Sequence, residues 1–403
     1  MSDRDDRDRD GSDGSDDCTD PRDPRPSGAP EPMTAQVPTT TVRPDGALAV
    51  VDVGAHTFET GGRLPQVSIA YETWGELAPD GSNAVLVLHA LTGDTHVAAS
   101  EADPEAGWWE GLVGPGRAVD TDRWFVVSPA MVGGCYGSTG PASADPQGRP
   151  WGSRFPFTTI RDSVQLEARL ADQLGIERFH AVLGGSMGGA RALEWAATFP
   201  DRVAGVGVFS CGAESTAEQI AFAQAQIAAI ENDPHYHGGD YYTGPWPEAG
   251  LGLARRIAHI TYRTETEFSA RFGREHQGDE DPFGSSRRPR GRFQVESYLD
   301  HQARKLVSRF DPNAYILLTE ALAGHDVGRG RGGAAGALRD VTATPFVAAV
   351  DSDRLYHPEQ SHRLAELLPG AGGVHMISSP IGHDGFLTSP EQIAEPLCET
   401  LRL

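Results

Sequence analysis

Two hydrophobic periods alternate along most of this chain. Short apolar runs stand at "VSIAYETWG" (67–75), "AVLVLHAL" (84–91), "WFVVSPAM" (124–131), "FHAVLGG" (179–185), "VAGVGVFS" (203–210), "PFVAAVDS" (345–352) and "VHMISSP" (374–380). Each has the length of a strand. Several are apolar at consecutive positions, the pattern of strands buried on both faces. Between them, "DSVQLEARLADQLG" (162–175), "GGARALEWAATFP" (188–200) and "HPEQSHRLAELLPG" (357–370) place apolar residues every three to four positions, the spacing of one helix face. This alternation predicts a mostly parallel sheet with helices on both sides.

The rhythm breaks over residues 212–325. "STAEQIAFAQAQIAAIEND" (215–233), "AGLGLARRIAHITYRTETEFSARFG" (249–273) and "FQVESYLDHQARKLVSRF" (293–310) read as helices, and no run there reads as a strand. A helical insertion, 212–325, is therefore expected inside a catalytic unit formed by 45–211 and 326–403. Residues 1–44, opening "MSDRDDRDRDGSDGSDDCTDPRDPRPSGAPEP", are rich in Asp, Arg, Gly and Pro and hold almost nothing to bury. They are expected to be a disordered, solvated acidic tail.

Charge and composition narrow the function. The formal net charge is −23 over 403 residues, which argues against the basic footprint of a nucleic-acid binder and against anionic membrane surfaces. No apolar run reaches the roughly 18 residues of a transmembrane helix. No apolar stretch follows a basic start as in a secretory signal, so the cytoplasm is the expected location. The four cysteines, Cys18, Cys135, Cys211 and Cys398, form no CxxC pair. They are expected to be reduced structural thiols, with neither disulfide nor metal site.

The chemistry centres on "AVLGGSMGGARALEW" (181–195). Gly184-Gly185-Ser186-Met187-Gly188 fits G-x-S-x-G and sits between an apolar strand and a helix, the context of a nucleophile elbow. The serine occupies a strained turn, its neighbours must be tiny, and the helix N-terminus behind it favours developing negative charge. A serine hydroxyl is a weak nucleophile until a base takes its proton. In α/β-hydrolases the partners follow in the order Ser, Asp/Glu, His. "FVAAVDSDRLYHP" runs from a strand into a loop with Asp351 and Asp353, and "VHMISSPIGHDGFL" from the last strand into a loop with His383. Asp353 is preferred because it lies further past the strand end. Among 14 histidines, His383 is singled out by its Gly382-His383-Asp384-Gly385 loop; His357 opens a helix and His375 lies within a strand. An oxyanion site needs two backbone N–H groups. Met187 follows the nucleophile, and Leu91 ends an early strand where Gly93 lets the backbone turn.

With these residues in place, the chain resembles the homoserine O-acetyltransferase family of α/β-hydrolase type, from residue 45 to the C-terminus. The resemblance rests on "LHALTGDTHV", "GWWEGLVGPGRAVDTDRWFVV", "GCYGSTGP", "GGSMGGARALEW", "LARRIAHITYR", "SYLDHQARKLVSRFD", "LTEALAGHDVGRGRGG", "SDRLY" and "GHDGFL". It implies an α/β-hydrolase fold, a mostly parallel central sheet flanked by helices with an inserted helical lid, and a homodimer formed through that lid. It implies no bound cofactor, with acetyl-CoA as co-substrate and L-homoserine as acceptor. Ser186 would attack the thioester with His383 as base and Asp353 as its orienting acid, the "SDRLY" match favouring Asp353. Arg255 would bind the substrate carboxylate and Asp384 its amino group. Arg256, about 100° away on a helix, is not placed to share the role. Three positions depart from the family pattern: Ala130 and Val132 before "GGC", where Asn and Leu are common, and Glu167, where Gln is usual. The basic cluster "SSRRPRGR" (285–292) reads as a solvated lid loop rather than a coenzyme A contact.

Alternatives remain open at this level. Succinyl-CoA in place of acetyl-CoA, or serine in place of homoserine, differs by amounts that a pocket discriminates at only about 1–3 kcal/mol per methylene. An esterase would use the same triad with water as acceptor, but the Arg255/Asp384 pair suits an amino-acid acceptor. A non-catalytic binding module would be expected to lack a triad member.

Overall fold

The computed structural model describes residues 45–284 and 290–403. The acidic tail, with Cys18, and positions 285–289 of the basic cluster lie outside the described residues.

Eight strands form one sheet: β1 (Ala49–Thr57), β2 (Arg63–Trp74), β3 (Ala84–Leu88), β4 (Phe125–Pro129), β5 (Phe179–Gly185), β6 (Val203–Phe209), β7 (Thr344–Val350) and β8 (Val374–Ile377). Their spatial order is β1-β2-β4-β3-β5-β6-β7-β8. Pairs from β4 through β8 are parallel, while β1 and β2 run antiparallel at one edge. The central strands β3, β4 and β6 are buried at nearly every position, as their unbroken apolar runs require. One hydrophobic cluster covers one face of the sheet with Leu86, Val182 and Trp195, and a second covers the other with Val87, Leu183, Phe209 and Phe386.

The helices are α1 (Ile160–Gln173), α2 (Met187–Thr198), α3 (Ala217–Glu231), α4 (Glu248–Tyr262), α5 (Glu265–Phe272), α6 (Gln294–Val307), α7 (Pro312–Ala323), α8 (Ala334–Leu338), α9 (Pro358–Leu367), α10 (Gly385–Thr388) and α11 (Pro390–Leu401). Helices α3 to α8 lie between β6 and β7 in the chain, and no strand of the sheet lies among the described residues of that stretch. Local chemistry fixes their starts. Thr159 with Asp162, and Thr216 with Gln219, form capping boxes on α1 and α3 that satisfy otherwise orphaned N–H groups. Asp311 caps α7, with Pro312 at its first position.

Three details differ from the sequence pattern. The run 84–91 leaves the sheet after Leu88, and 374–380 after Ile377, so His89–Leu91 and Ser378–Pro380 are free to turn towards the site. The expected helix 249–273 is two helices, because Arg263 and Thr264 are extended and Thr264 caps α5 by accepting from Glu267 N–H at 3.0 Å. Finally, β1, α7, α8, α10 and α11 are additional elements.

Candidate active site

Ser186 stands between the end of β5 and the first residue of α2 with φ 55° and ψ −122°. For a non-glycine residue this backbone is strained. Its N–H is held by the Phe209 carbonyl at 2.9 Å. The flanking glycines are needed for room. A Cβ on Gly184 would stand 2.3 Å from the Gly188 backbone, and one on Gly188 2.0 Å from the Leu88 carbonyl oxygen. At Gly185 it would meet the Phe386 ring at 2.2 Å. The turn is thus pressed against β3 and the loop after it, which brings the serine beside Leu91.

Asp353 and His383 meet from two different loops. The His383 Nδ1–H donates to Asp353 Oδ2 at 2.7 Å, and both residues are buried. The other oxygen, Oδ1, accepts from the N–H groups of Leu355 and Tyr356, each at 2.9 Å. Burial alone would push the His383 imidazole down. The charge and hydrogen bond of Asp353, aided by Asp384, outweigh it and leave the pKa raised. Asp351, the other acid considered, is used elsewhere: it accepts from Ser378 Oγ and Ser379 N–H, tying the ends of β7 and β8 together. His357 is exposed and faces Glu218, and His375 bonds the Gln392 carbonyl.

Two aromatic side chains join the serine side to the histidine side. Tyr356 stacks on His383 with centroids 5.2 Å apart, and it lines one pocket with Ser186. Phe386 packs edge-on to His383 at 5.6 Å and closes on Gly185. Leu91 and Tyr262 line the same pocket as Ser186. Met187 opens α2, so its N–H has no acceptor one turn earlier in the helix.

The loop bearing Leu91 is locked from below. His89 is buried; its Nδ1–H donates to the Ala90 carbonyl at 2.7 Å, and its Nε2 accepts the Met131 N–H at 3.0 Å. Burial and nearby Arg191 push its pKa down to about 3, so it stays neutral and keeps this tautomer. Arg191, fully buried on α2, reaches the carbonyls of His89 and Pro129. Its partner is Glu167, which also accepts from Ser163 Oγ and Trp195 Nε1. The departure at Glu167 therefore sits under the loop rather than in the pocket. Ala130 and Val132 are buried in the core, and the Ala130 carbonyl accepts from Ser138 Oγ.

Arg255 and Asp384 lie to the side of His383. Arg255 donates to Thr92 Oγ1 at 3.3 Å and lies over the Tyr262 ring, while its Nε has no partner among the described residues. Arg256 points elsewhere, pairing with Asp300 of α6 at 2.8 Å. Asp384 already faces a cation of its own chain, Arg263 Nη2 at 3.2 Å. The base of the lid grips the histidine loop: His383 N–H donates to the Tyr262 carbonyl at 2.9 Å, and Thr264 Oγ1 donates to the Pro380 carbonyl. Tyr262, Tyr356 and Thr92 did not emerge from the sequence. For Tyr262 a signal existed, since it stands two helical turns beyond Arg255 on the same face of α4.

Comparison with known proteins decides the family. Residues 83–390 match the α/β-hydrolase fold family. The chain is 58% identical to a homoserine O-acetyltransferase of Thermobifida fusca, over 85% of this chain and 90% of that one. It is 53% identical to the homoserine O-acetyltransferase of Nocardia farcinica, over 89% and 94%. This chain belongs to the homoserine O-acetyltransferase family. Among solved structures, the homoserine O-acetyltransferase of Bacillus anthracis superposes with a TM-score of 0.82 at 27% identity, covering 89% of this chain and 98% of that one. Esterase E22 superposes with a TM-score of 0.81 at 25% identity, covering 88% and 99%. The homoserine O-acetyltransferase fold is thus shared with an esterase, and the acceptor group is what distinguishes the two chemistries. No helix described is long and apolar enough to cross a membrane.

Proposed function

We propose that this chain is an L-homoserine O-acetyltransferase working through an acetyl-Ser186 intermediate. The observation that carries the reading is the bonded Asp353–His383 pair beside the strained Ser186 turn, in a chain 58% identical to a homoserine O-acetyltransferase. His383, its Nδ1–H held by Asp353, takes the Ser186 proton at Nε2 as Oγ attacks the thioester carbonyl of acetyl-CoA. The N–H groups of Leu91 and Met187 hold the oxyanion. The C–S bond breaks, and the imidazolium returns its proton to the departing coenzyme A thiolate. The hydroxyl of L-homoserine then gives its proton to His383 and attacks the acetyl carbonyl. O-acetyl-L-homoserine leaves and Ser186 is restored, a ping-pong cycle that feeds methionine biosynthesis.

Arg255 receives the homoserine carboxylate through its uncommitted guanidinium edge. Asp384 takes the ammonium group in place of, or beside, Arg263. No resident cofactor or metal takes part, and the enzyme acts in the cytoplasm on acetyl-CoA. The lid helices join two copies into a homodimer.

The test is thiol release from acetyl-CoA and from succinyl-CoA, each with L-homoserine, L-serine or water as acceptor. Fast release is expected only with acetyl-CoA plus L-homoserine. Full-rate release without an amino acid would make the protein an esterase, as its likeness to esterase E22 allows. Ser186→Ala should abolish the acetyl-enzyme, and Arg255→Ala should raise the homoserine KM at least tenfold, the order of a lost charged hydrogen bond. An unchanged homoserine KM would remove Arg255 from the pocket.

A further inference from the structure

One residue touches two members of the Ser186–His383–Asp353 set and shares a pocket wall with the third. The Tyr356 backbone N–H donates to Asp353 Oδ1 at 2.9 Å. Its ring lies over the His383 imidazole, 5.2 Å between centroids and only 21° from parallel. Its side chain lines the same pocket as Ser186. The side chain is buried at 3% exposure, so these contacts are not made in competition with bulk water.

We propose that Tyr356 is a positioning residue of the transfer reaction: its phenol O–H donates to Ser186 Oγ, and its ring fixes the plane of the His383 imidazole. This rests on the acetyl-Ser186 reading above. With one lone pair of Oγ engaged by the phenol, the serine's own proton is directed to His383 Nε2. Burial holds the phenol far above its ordinary pKa, so it remains a donor and never competes with His383 as base. Its effect is largest in the second half-reaction. When the tetrahedral adduct with homoserine collapses, the bond from the acetyl carbon to Oγ breaks and its electron pair returns to Oγ. The His383 imidazolium delivers its proton there. Tyr356 donates its hydrogen bond to the departing oxygen throughout and transfers no proton itself. The stacked ring meanwhile favours the imidazolium, as a π face does a cation.

The two parts separate by substitution. Tyr356→Phe keeps the ring and removes the hydroxyl; Tyr356→Leu removes both. Tyr356→Phe is expected to lower kcat about tenfold, the worth of one hydrogen bond to a reacting atom, with deacetylation in single-turnover experiments slowed most. The homoserine KM and the acid limb of the pH profile should stay unchanged. Tyr356→Leu should lower kcat further and move the acid limb to lower pH. A wild-type kcat in Tyr356→Phe, or a loss confined to KM, overturns the proposal; that variant decides the matter even if Tyr356→Leu does not fold. Intact mass after mixing with acetyl-CoA separates the two levels. A wild-type chain with no acetyl group on Ser186 overturns the acyl-enzyme reading and this proposal with it. Normal wild-type acetylation beside an unimpaired Tyr356→Phe overturns this proposal alone.

Discussion

In the proposed reaction His383 is the titrating centre, and the carboxylates around it set the pH range in which it could accept a proton. Burial works against the imidazolium, but Asp353 and Asp384 reverse that effect and raise the pKa. A base must be unprotonated to act, so a raised pKa moves the loss of activity on the acid side to higher pH. The acid limb of kcat/KM is therefore expected above the ordinary imidazole value of about 6.5. In Asp353→Asn the stabilising charge is gone, so the limb should move to lower pH. The rate should also fall by about 10⁴-fold as the imidazole loses its required tautomer. A limb that stays in place would mean that Asp353 does not set the His383 proton affinity. At this scale the sequence was most readable where chemistry leaves a local mark: Ser186 sits in a strand-to-helix turn, and Asp353 and His383 in the loops after strands, each with its own short motif. Tyr356 leaves none, and Tyr262 leaves only its two-turn spacing from Arg255. A tyrosine in a loop or on a helix looks like any core aromatic until tertiary contact puts it over an imidazole.

The elements around the site carry their own buried charge. Arg191 on α2 is fully buried, and Glu167 on α1 answers it with bonds of 2.9 and 2.6 Å. Removing one side of such a pair strands the other charge in the core. Glu167→Ala is expected to cost about 3–5 kcal/mol. Glu167→Gln, which still accepts from Arg191, should cost about 1–3 kcal/mol for the acceptor lost to Trp195 Nε1. Urea unfolding of the three chains measures both, and a Glu167→Ala within 0.5 kcal/mol of wild type, roughly the scale of surface substitutions, would show that Arg191 finds another partner. Element types were legible wherever one period ran uninterrupted. Strand β1 escaped because irregular pairing between Asp52, Gly54 and His56 breaks its alternation. The α4–α5 boundary escaped because no Gly or Pro marks it, although Thr264 followed three residues later by Glu267 is itself a helix-start signature.

At the scale of the molecule, α4 has two opposed faces and both are used. Arg255 and Tyr262, two turns apart, face the site. Leu253 and Ile260, also two turns apart, are rotated well away from them and stand 48% and 45% exposed. Arg256 lies between these two apolar residues on the outer face, and a cavity of about 570 Å³ opens beside it, lined by Gly252, Ala303 and Val307. Leu253 and Ile260 beside this concavity would supply apolar surface to the proposed homodimer, with the same pair of a second copy as the occupant. Such an interface would be isologous, α4 against α4 across a two-fold axis. Because α4 also holds the His383 loop through the Tyr262 carbonyl, dimer contact would steady Arg255 and His383 together. The double variant Leu253→Asp, Ile260→Asp places like charges on both sides of that contact. It is expected to sediment as a monomer at micromolar concentration, where the wild type is expected to sediment as a dimer, and to show a raised homoserine KM with Ser186 still acetylated by acetyl-CoA. A wild-type chain that sediments as a monomer, or a variant that remains dimeric, would move the interface off α4.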